Sequence, residues 1–202
     1  MTRILYIHGL NSSPASTKAQ QLLNAMHRMG IADQLYLPAL HHQPRQAIAQ
    51  LEAIIAGAGP HQPVLVGSSL GGYYATYLAH RHGLKSLLIN PSVRPHQRFD
   101  GCQVVQTNYY TGEQWLPTDE HLAALAELEV PPPQCPQLCQ VWLQTGDETL
   151  DYREAEHYYR ACSQRIQAGG DHGYAGFAGQ LPALFAFAGL DARLWRDIDF
   201  SL

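Results

Sequence analysis

Short apolar runs alternate with stretches of helical periodicity along most of the chain, and this alternation restricts the fold more than any other feature. The predicted strands cover residues 3–7, 34–37, 63–66, 85–89, 138–144 and 164–168. The predicted helices include one that carries Leu22, Leu23, Met26 and Met29 and ends at Gly30, followed by residues 47–56, 70–82, 152–162 and 176–189. Strands that alternate with helices favour a mainly parallel sheet covered on both faces, with right-handed crossovers. The sequence therefore predicts an α/β fold with about six strands.

One long segment interrupts this alternation between the predicted fourth and fifth strands. It contains Tyr109, Tyr110 and Trp115, a short helical stretch at 121–128 and three consecutive prolines. Connections of this length are uncommon in compact domains unless they act as lids or binding loops. We therefore expect a single domain over residues 1–202, with 95–136 as a possible lid insert.

Composition and charge exclude several classes of function. The formal net charge is −4 and no basic patch is visible, so nucleic acid is not an expected partner. No apolar stretch reaches the length of a membrane span, and the N-terminus has no signal-peptide pattern. The four cysteines lack a disulfide-framework spacing and are expected to be reduced: Cys102, Cys135, Cys139 and Cys162. We expect a cytoplasmic protein.

The chain has eleven histidines, but they are scattered rather than spaced as metal ligands. His41 and His42 are adjacent, and adjacent residues do not share a helix or strand face. We therefore expect neither a metal site nor a cofactor, and a histidine-rich metal binder remains a distant alternative that metal analysis would test.

The segment Gly67–Gly71 matches the pattern G-x-S-x-G, with Ser69 at its centre. It follows a predicted buried strand and precedes a predicted helix, which is the setting of a nucleophile elbow. Such an elbow strains the serine backbone and requires small neighbours, which the flanking glycines provide. A glycine–serine turn without chemistry is the alternative, but the sequence on either side favours Ser69 as a nucleophile.

A serine nucleophile needs a general base and an acid that orients the base, in the chain order Ser, Asp or Glu, His. Asp147 and His172 follow the predicted fifth and sixth strands. Both would lie at the carboxyl edge of a parallel sheet, where such sheets place their sites. We predict that His172 takes the proton from Ser69 and that Asp147 holds the imidazole.

Other residues could fill these roles. Glu148 or Asp151 could replace Asp147 as the acid, although Asp151 precedes a predicted helix and suits an N-cap. His157 is the other histidine after Asp147 and lies within a helical stretch. Asp171 could cap a helix or alter the pKa of its neighbour His172.

Acyl transfer also requires hydrogen-bond donors for the developing oxyanion. One donor is expected to be the backbone N–H of Leu70, directly after the nucleophile, and the other that of Leu10, in the loop after the first strand. His8 lies in the same loop, where we expect it to brace the backbone rather than react.

The motifs together resemble the YqiA/YcfP family of small α/β-hydrolase-fold esterases. The residues that carry the resemblance are 7–14 (IHGLNSSP), 66–76 (VGSSLGGYYAT), 90–95 (NPSVRP), 110–112 (YTG), 144–148 (QTGDE) and 150–153 (LDYR). The resemblance spans nearly the whole chain and implies a single-domain esterase with Ser69, Asp147 and His172 in the triad roles. One departure is that the family histidine usually follows Gly-Gly-Asn and precedes Ala-Phe, whereas His172 lies between Asp171 and Gly173.

These observations predict a serine esterase that hydrolyses small-molecule carboxylic esters through an acyl-serine. Thioester hydrolysis or acyl transfer at the same site, and a catalytically silent binding protein, are the alternatives. Tyr109, Tyr110 and Trp115 could line an acyl pocket under the lid, or could be core packing of an irregular segment. Arg94 and Arg98 could contact an anionic leaving group.

Overall fold

A six-stranded sheet forms the centre of the computed structural model, which describes residues 2–99 and 104–200. In chain order the strands are β1 (Ile4–Ile7), β2 (Leu35–Tyr36), β3 (Val64–Ser68), β4 (Ser86–Ile89), β5 (Gln106–Thr107), β6 (Gln114–Trp115), β7 (Cys139–Gln144) and β8 (Ser163–Gln167). Strands β5 and β6 form a separate antiparallel pair. The other six correspond to the six predicted strands.

The sheet has the order β2-β1-β3-β4-β7-β8, and each neighbouring pair is parallel. The chain first moves outward from β1 to β2 and then returns to the other side of β1 to form β3. The order therefore reverses between β1 and β3, and parallel sheets bind ligands outside the carboxyl ends of strands at such a switch point. The register pairs Ile7 with Gly67, so the loops after β1 and β3 start side by side.

Helices cover both faces of the sheet. They are α1 (Thr17–Arg28), α2 (Pro44–Gly57), α3 (Leu70–His82), α4 (Pro95–Phe99), α5 (Asp119–Glu127), α6 (Tyr152–Tyr158) and α7 (Phe177–Ala188), with short 3₁₀ turns at Ala32–Gln34, Pro136–Leu138 and Ala192–Leu194. Helix α2 begins three residues before the predicted start, because Gln43 caps it through a bond from Gln46 N–H and Pro44 fits its first turn. Together with the sheet, these helices form an α/β-hydrolase fold.

Alternating strand residues build a separate apolar core on each face of the sheet. In β1, Leu5 and Ile7 pack towards α2 and α3, whereas Ile4 and Tyr6 pack towards α1 and α7. All four are buried, which explains the continuous apolar run in the sequence. Two cores on one sheet hold the carboxyl-end loops on a rigid support.

The segment between β4 and β7 contains α4, the β5–β6 hairpin and α5. Asn11, in the loop after β1, ties the hairpin to the sheet: its Oδ1 accepts from Trp115 Nε1 at 2.9 Å, its Nδ2 donates to Gln106 Oε1 at 2.9 Å, and its carbonyl accepts from Tyr109 N–H at 2.9 Å. The hairpin was not predicted, because strands of two residues carry no readable alternation. It brings part of the predicted lid insert against the loop after β1.

Within the described residues, no helix combines the length and apolar character that a membrane crossing requires. In the same part of the chain, no cluster of three or more histidine, cysteine or acidic side chains is arranged to hold a metal ion. Cys135, Cys139 and Cys162 are free thiols, and Cys102 lies outside the described residues.

Candidate active site

The turn between β3 and α3 holds Ser69 in a backbone conformation that residues other than glycine rarely adopt, with φ 56° and ψ −121°. The glycines around it permit close packing of the backbone. A Cβ at Gly67 would lie 2.3 Å from the carbonyl oxygen of Gly71, and one at Gly71 would lie 2.0 Å from that of Ile7. The motif therefore forms a sharp elbow that projects Ser69 between β1 and β3.

Ser69, His172 and Asp147 form a continuous series of hydrogen-bonded side chains. His172 Nε2 lies 3.0 Å from Ser69 Oγ, and His172 Nδ1 lies 2.8 Å and 3.0 Å from the carboxylate oxygens of Asp147. With Nδ1–H donating to Asp147, the unprotonated Nε2 is free to accept the serine proton. The three residues come together from loops after three different strands.

Asp147 is held as a carboxylate. Its side chain is only 2% exposed, and this burial by itself raises the pKa. Hydrogen bonds from His172 and from the N–H groups of Leu150 and Thr149 outweigh burial and bring the pKa below its usual value. Asp147 therefore stays ionised and acts as a fixed acceptor for the imidazole.

The two alternative acids have other roles. Glu148 Oε2 accepts a bond from the backbone N–H of His172 at 3.0 Å, so it contacts the main chain of this residue rather than its ring. Asp151 caps α6 by accepting from Arg153 N–H and also pairs with the Arg153 guanidinium, which confirms the predicted N-cap. The geometry places only Asp147 against the imidazole.

The loop that carries His172 is anchored by Asn90, which sequence reasoning missed. Asn90 directly follows β4 and is 2% exposed. Its Nδ2 donates to the carbonyls of Asp171 and His172 at 3.0 Å and 3.3 Å, while its Oδ1 accepts from Gln144 N–H. The signal available in the sequence was a polar residue directly after a buried strand, at the edge of the sheet that carries the site.

The residues predicted to supply the oxyanion donors are Leu70, directly after Ser69 in the chain, and Leu10, in the loop after β1. Leu70 is the first residue of α3, where backbone N–H groups have no acceptor one turn earlier in the helix. A Cβ built on Gly9 would lie 3.1 Å from Ser69 Cβ, so the loop after β1 approaches the nucleophile at the residue before Leu10. Both residues predicted to supply donors therefore lie near Ser69.

His8 braces this loop, as predicted. Its Nδ1 lies 2.9 Å from the carbonyl oxygen of Gly9, and its Nε2 accepts from the backbone N–H of Leu40 at 3.2 Å. Burial lowers the pKa of His8, so the neutral Nδ1–H tautomer fits both contacts. By fixing the carbonyl of Gly9, His8 also fixes the peptide plane that carries the Leu10 N–H.

A cavity of about 310 Å³ opens beside Ser69 and His172. Tyr109 and Tyr110 line it, so the structure places two of the three predicted aromatic residues at the site. Most of its remaining lining comes from the loops after β1 and the first turn of α1, including Ser12, Ser16 and Lys18. Sequence reasoning did not identify this polar wall.

Trp115 lies outside that cavity. It stacks against both His42 and His121, at ring-centroid distances of 5.0 Å and 5.1 Å, and lines a separate apolar pocket that also contacts Leu10 and Leu70. His42 Nδ1 and His121 Nε2 lie 3.2 Å apart. The stack joins the start of α2 to the hairpin and α5.

Arg94 and Arg98 lie outside the Ser69 cavity as well. They line a different cavity together with His157. Arg94 pairs with Glu129 at 3.0 Å, and Arg98 approaches Glu154 at 3.9 Å. Neither arginine is therefore placed to contact a group bound to Ser69.

A parallel sheet covered on both faces, with a serine elbow after its third strand, defines the α/β-hydrolase fold class. Within this class the chain belongs to UPF0227, an uncharacterised protein family whose model matches residues 3–189. The chain is 29% identical over 101 residues to a UPF0227 protein of Shewanella woodyi (strain ATCC 51908 / MS32) and 25% identical over 101 residues to one of Shewanella sediminis (strain HAW-EB3). Each alignment covers 48% of this chain, and the chain spans 55% of the length of each relative.

Solved structures of esterases and hydrolases share the fold. Est1E from Butyrivibrio proteoclasticus, solved with bound ferulic acid, has a TM-score of 0.69 and 12% identity, covering 94% of this chain and 87% of that one. The esterase domain of a Rhodothermus marinus protein has a TM-score of 0.64 and 15% identity, covering 92% and 86%. A pyrethroid hydrolase from Sphingobium faniae JZ-2 has a TM-score of 0.59 and 15% identity, covering 95% and 99%. At these identities the similarity establishes the fold.

Proposed function

We propose that this protein is a serine esterase that hydrolyses small-molecule carboxylic esters through an acyl-serine intermediate. The observation that carries the proposal is the position of His172, whose two ring nitrogens contact Ser69 Oγ at 3.0 Å and Asp147 Oδ2 at 2.8 Å. This spacing lets one imidazole accept the serine proton while its other nitrogen is held by a carboxylate.

In the first half of the reaction, Ser69 Oγ attacks the ester carbonyl as its proton passes to His172 Nε2. The imidazolium that forms is stabilised by Asp147, and the carbonyl oxygen, now negative, accepts hydrogen bonds from the N–H groups of Leu10 and Leu70. Collapse of this intermediate breaks the bond to the leaving alcohol, which takes the proton from His172.

In the second half, His172 removes a proton from water as the water attacks the acyl-serine. The same oxyanion donors serve again, and Ser69 leaves with the proton returned by His172. A thiol leaving group or an alcohol acceptor would use the same intermediate, so thioester hydrolysis and acyl transfer are variants of this chemistry.

We further propose that Tyr109 and Tyr110 form part of the substrate-binding wall and that the insert they belong to partly covers the site. Their exposed fractions, 80% and 47%, leave the rings accessible to a bound group. Trp115, which lines the neighbouring apolar pocket, tests the extent of the acyl-binding region. In Tyr110→Ala, kcat/KM should depend less on the acyl length of a series of phenyl esters than it does in the wild type. A change in this dependence in Trp115→Ala would show that the second pocket also contributes.

Labelling with a fluorophosphonate probe tests the central proposal. The wild-type protein and Ser163→Ala, a matched serine substitution at the exposed start of β8, should label, and Ser69→Ala should not. Phenyl acetate hydrolysis should follow the same pattern. Labelling that survives in Ser69→Ala would place the nucleophile elsewhere, and an unlabelled, inactive wild type would favour a silent binding protein.

A further inference from the structure

The two lysines of the chain lie in very different surroundings. Lys85 precedes β4 and contacts Phe187, at the amino end of the sheet. Lys18 lies in the first turn of α1, lines the cavity that contains Ser69, and donates from Nζ to the carbonyl oxygen of Gly173 at 2.8 Å. Of the two lysines, only Lys18 therefore places a cationic group beside the proposed nucleophile.

The remaining walls of this cavity carry hydroxyl and backbone groups rather than carboxylates. Its described lining comes from the end of β1 and the loop after it, the first turn of α1, the turn that carries Ser69, the β5–β6 hairpin and the loop that carries His172. Among the described residues that line it, Lys18 is the one lysine or arginine, and none is acidic. Asp171 and Asp147, whose charges favour the cationic form of Lys18, both lie outside the lining, and Asp147 is already engaged by His172.

The start of α1 has the same polarity as Lys18. This helix has 12 residues and no acidic residue in its first turn, and Ser16, at the N-cap position, makes no side-chain cap hydrogen bond. Its first N–H groups add a partial positive charge next to the ammonium. The two features act in the same direction on any group that enters this side of the cavity.

The position of Lys18 also shows which half of the substrate it would meet. His172 must return its proton to the leaving oxygen, so the leaving group lies on the histidine side of Ser69. Lys18 is bonded to Gly173, the residue directly after His172. A group held by Lys18 is therefore part of the leaving alcohol or thiol rather than of the acyl chain.

We propose that Lys18, with the first turn of α1, forms a subsite for an anionic oxygen group, a carboxylate or a phosphate, on the leaving group of the ester. This inference rests on the proposed esterase function and adds a substrate class to it. Burial lowers the pKa of the Lys18 ammonium, and a bound anion would replace part of the water that the ammonium has lost. The preferred substrates are thus esters of acidic alcohols or thiols.

The experiment compares kcat/KM for phenyl acetate with that for 4-carboxyphenyl acetate and for 4-phosphonooxyphenyl acetate. The measured quantity is the ratio of anionic to neutral substrate, because any loosening of the His172 loop through Gly173 affects both and cancels. Lys18→Met should lower the ratio for at least one anion by about tenfold, the size of one charge-assisted hydrogen bond. Lys18→Arg should restore most of the ratio.

Two comparisons complete the test. Lys85→Met, the matched lysine substitution, should leave the ratio at the wild-type value. A second substrate pair, phenyl butyrate and phenyl hydrogen succinate, places the charge on the acyl side, and its ratio should be insensitive to Lys18→Met. The two anionic leaving groups also show whether carboxylate or phosphate is preferred.

An unchanged ratio for both anionic leaving groups in Lys18→Met would overturn the subsite. A fall confined to the succinate pair would overturn its placement on the leaving-group side. Either result in a protein that labels at Ser69 and hydrolyses phenyl acetate contradicts only this inference. Failure of labelling and of hydrolysis in the wild type contradicts the esterase proposal itself.

Discussion

Glu148 holds the main chain of His172 through a 3.0 Å bond from the histidine N–H, while the adjacent Asp147 holds the ring of the same histidine. Two consecutive acidic residues thus contact one histidine from two directions. The hydrogen bond from His172 N–H also lowers the pKa of Glu148. The pair fixes both the loop and the imidazole orientation.

Glu148 is therefore expected to act as a positioning residue. Glu148→Gln keeps an acceptor oxygen for His172 N–H and should retain most of kcat, whereas Glu148→Ala should lose several-fold in kcat with little change in KM. Steady-state kinetics on phenyl acetate measure both. Glu154→Ala, an exposed glutamate of α6, is the control. Equal losses in Gln and Ala variants would show that charge, not the hydrogen bond, is what matters.

Asp147 should be far more sensitive than either alternative acid. Asp147→Asn removes the carboxylate that selects the Nδ1–H tautomer and should lower kcat by about 10⁴. Asp151→Asn should leave kcat unchanged and lower the melting temperature slightly, since its contacts belong to the α6 cap. A large loss of kcat in Asp151→Asn, with wild-type kcat in Asp147→Asn, would make Asp151 rather than Asp147 the acid.

His8 offers a test of the oxyanion loop in which each of its two contacts is kept in turn. The amide nitrogen of Asn at this position corresponds to Nδ1 and can still donate to the carbonyl of Gly9, whereas Gln can approximate only the Nε2 contact with Leu40. We expect His8→Gln to lower kcat by about tenfold, less than the ~10²–10³ that loss of a donor costs, and His8→Asn to lower it less. Comparable melting temperatures for the two variants would confine the difference to the site. Equal kcat values would contradict the bracing role.

The stack of His42, Trp115 and His121 should make the insert sensitive to acid. Burial is the largest cause that lowers the pKa of His42, with the neighbouring His41 second, and Glu113 opposes this shift. Burial also lowers the pKa of His121, where Glu120 opposes it. Because the folded protein favours the neutral rings, the unfolded chain binds protons more readily below its ordinary histidine pKa of about 6.5. The stabilising contribution is complete above that pH and is lost as the pH falls through the lowered values.

His42→Phe keeps an aromatic ring against Trp115 but cannot be protonated. Its melting temperature should fall less between pH 8 and pH 5 than that of the wild type, by a few degrees. His61→Phe, at an exposed loop position, should follow the wild-type curve. Parallel curves for all three proteins would show that the stack does not titrate in this range.

The strands of the central sheet, and the residues in the loops that follow them, could be predicted because both depend on local sequence. Each strand is a buried apolar run, and Asp147 and His172 lie in the loops that follow two of them. The elbow at Ser69 carries its own glycines. Local pattern was sufficient wherever the constraint lies within a few residues of the chain.

Lys18 and Asn90 could not be predicted because their roles arise from contacts between distant parts of the chain. Lys18 reaches Gly173 across 155 residues, and Asn90 reaches His172 across 82. For Trp115 the sequence leaves both an acyl-pocket and a core-packing role open, because large aromatics suit both cores and sites. Its bond to Asn11 depends on a hairpin too short to predict. Long-range packing, rather than propensity, decides these positions.

The backbone of Ser69 has a positive φ of 56°, so the residue proposed as the nucleophile is also in a strained conformation. Glycine would adopt that conformation without strain, so Ser69→Gly should relieve the strain and stabilise the fold. The serine hydroxyl at this position therefore costs the protein some stability. Heat-tolerant variants collected without an activity screen should therefore include inactive ones altered at this residue.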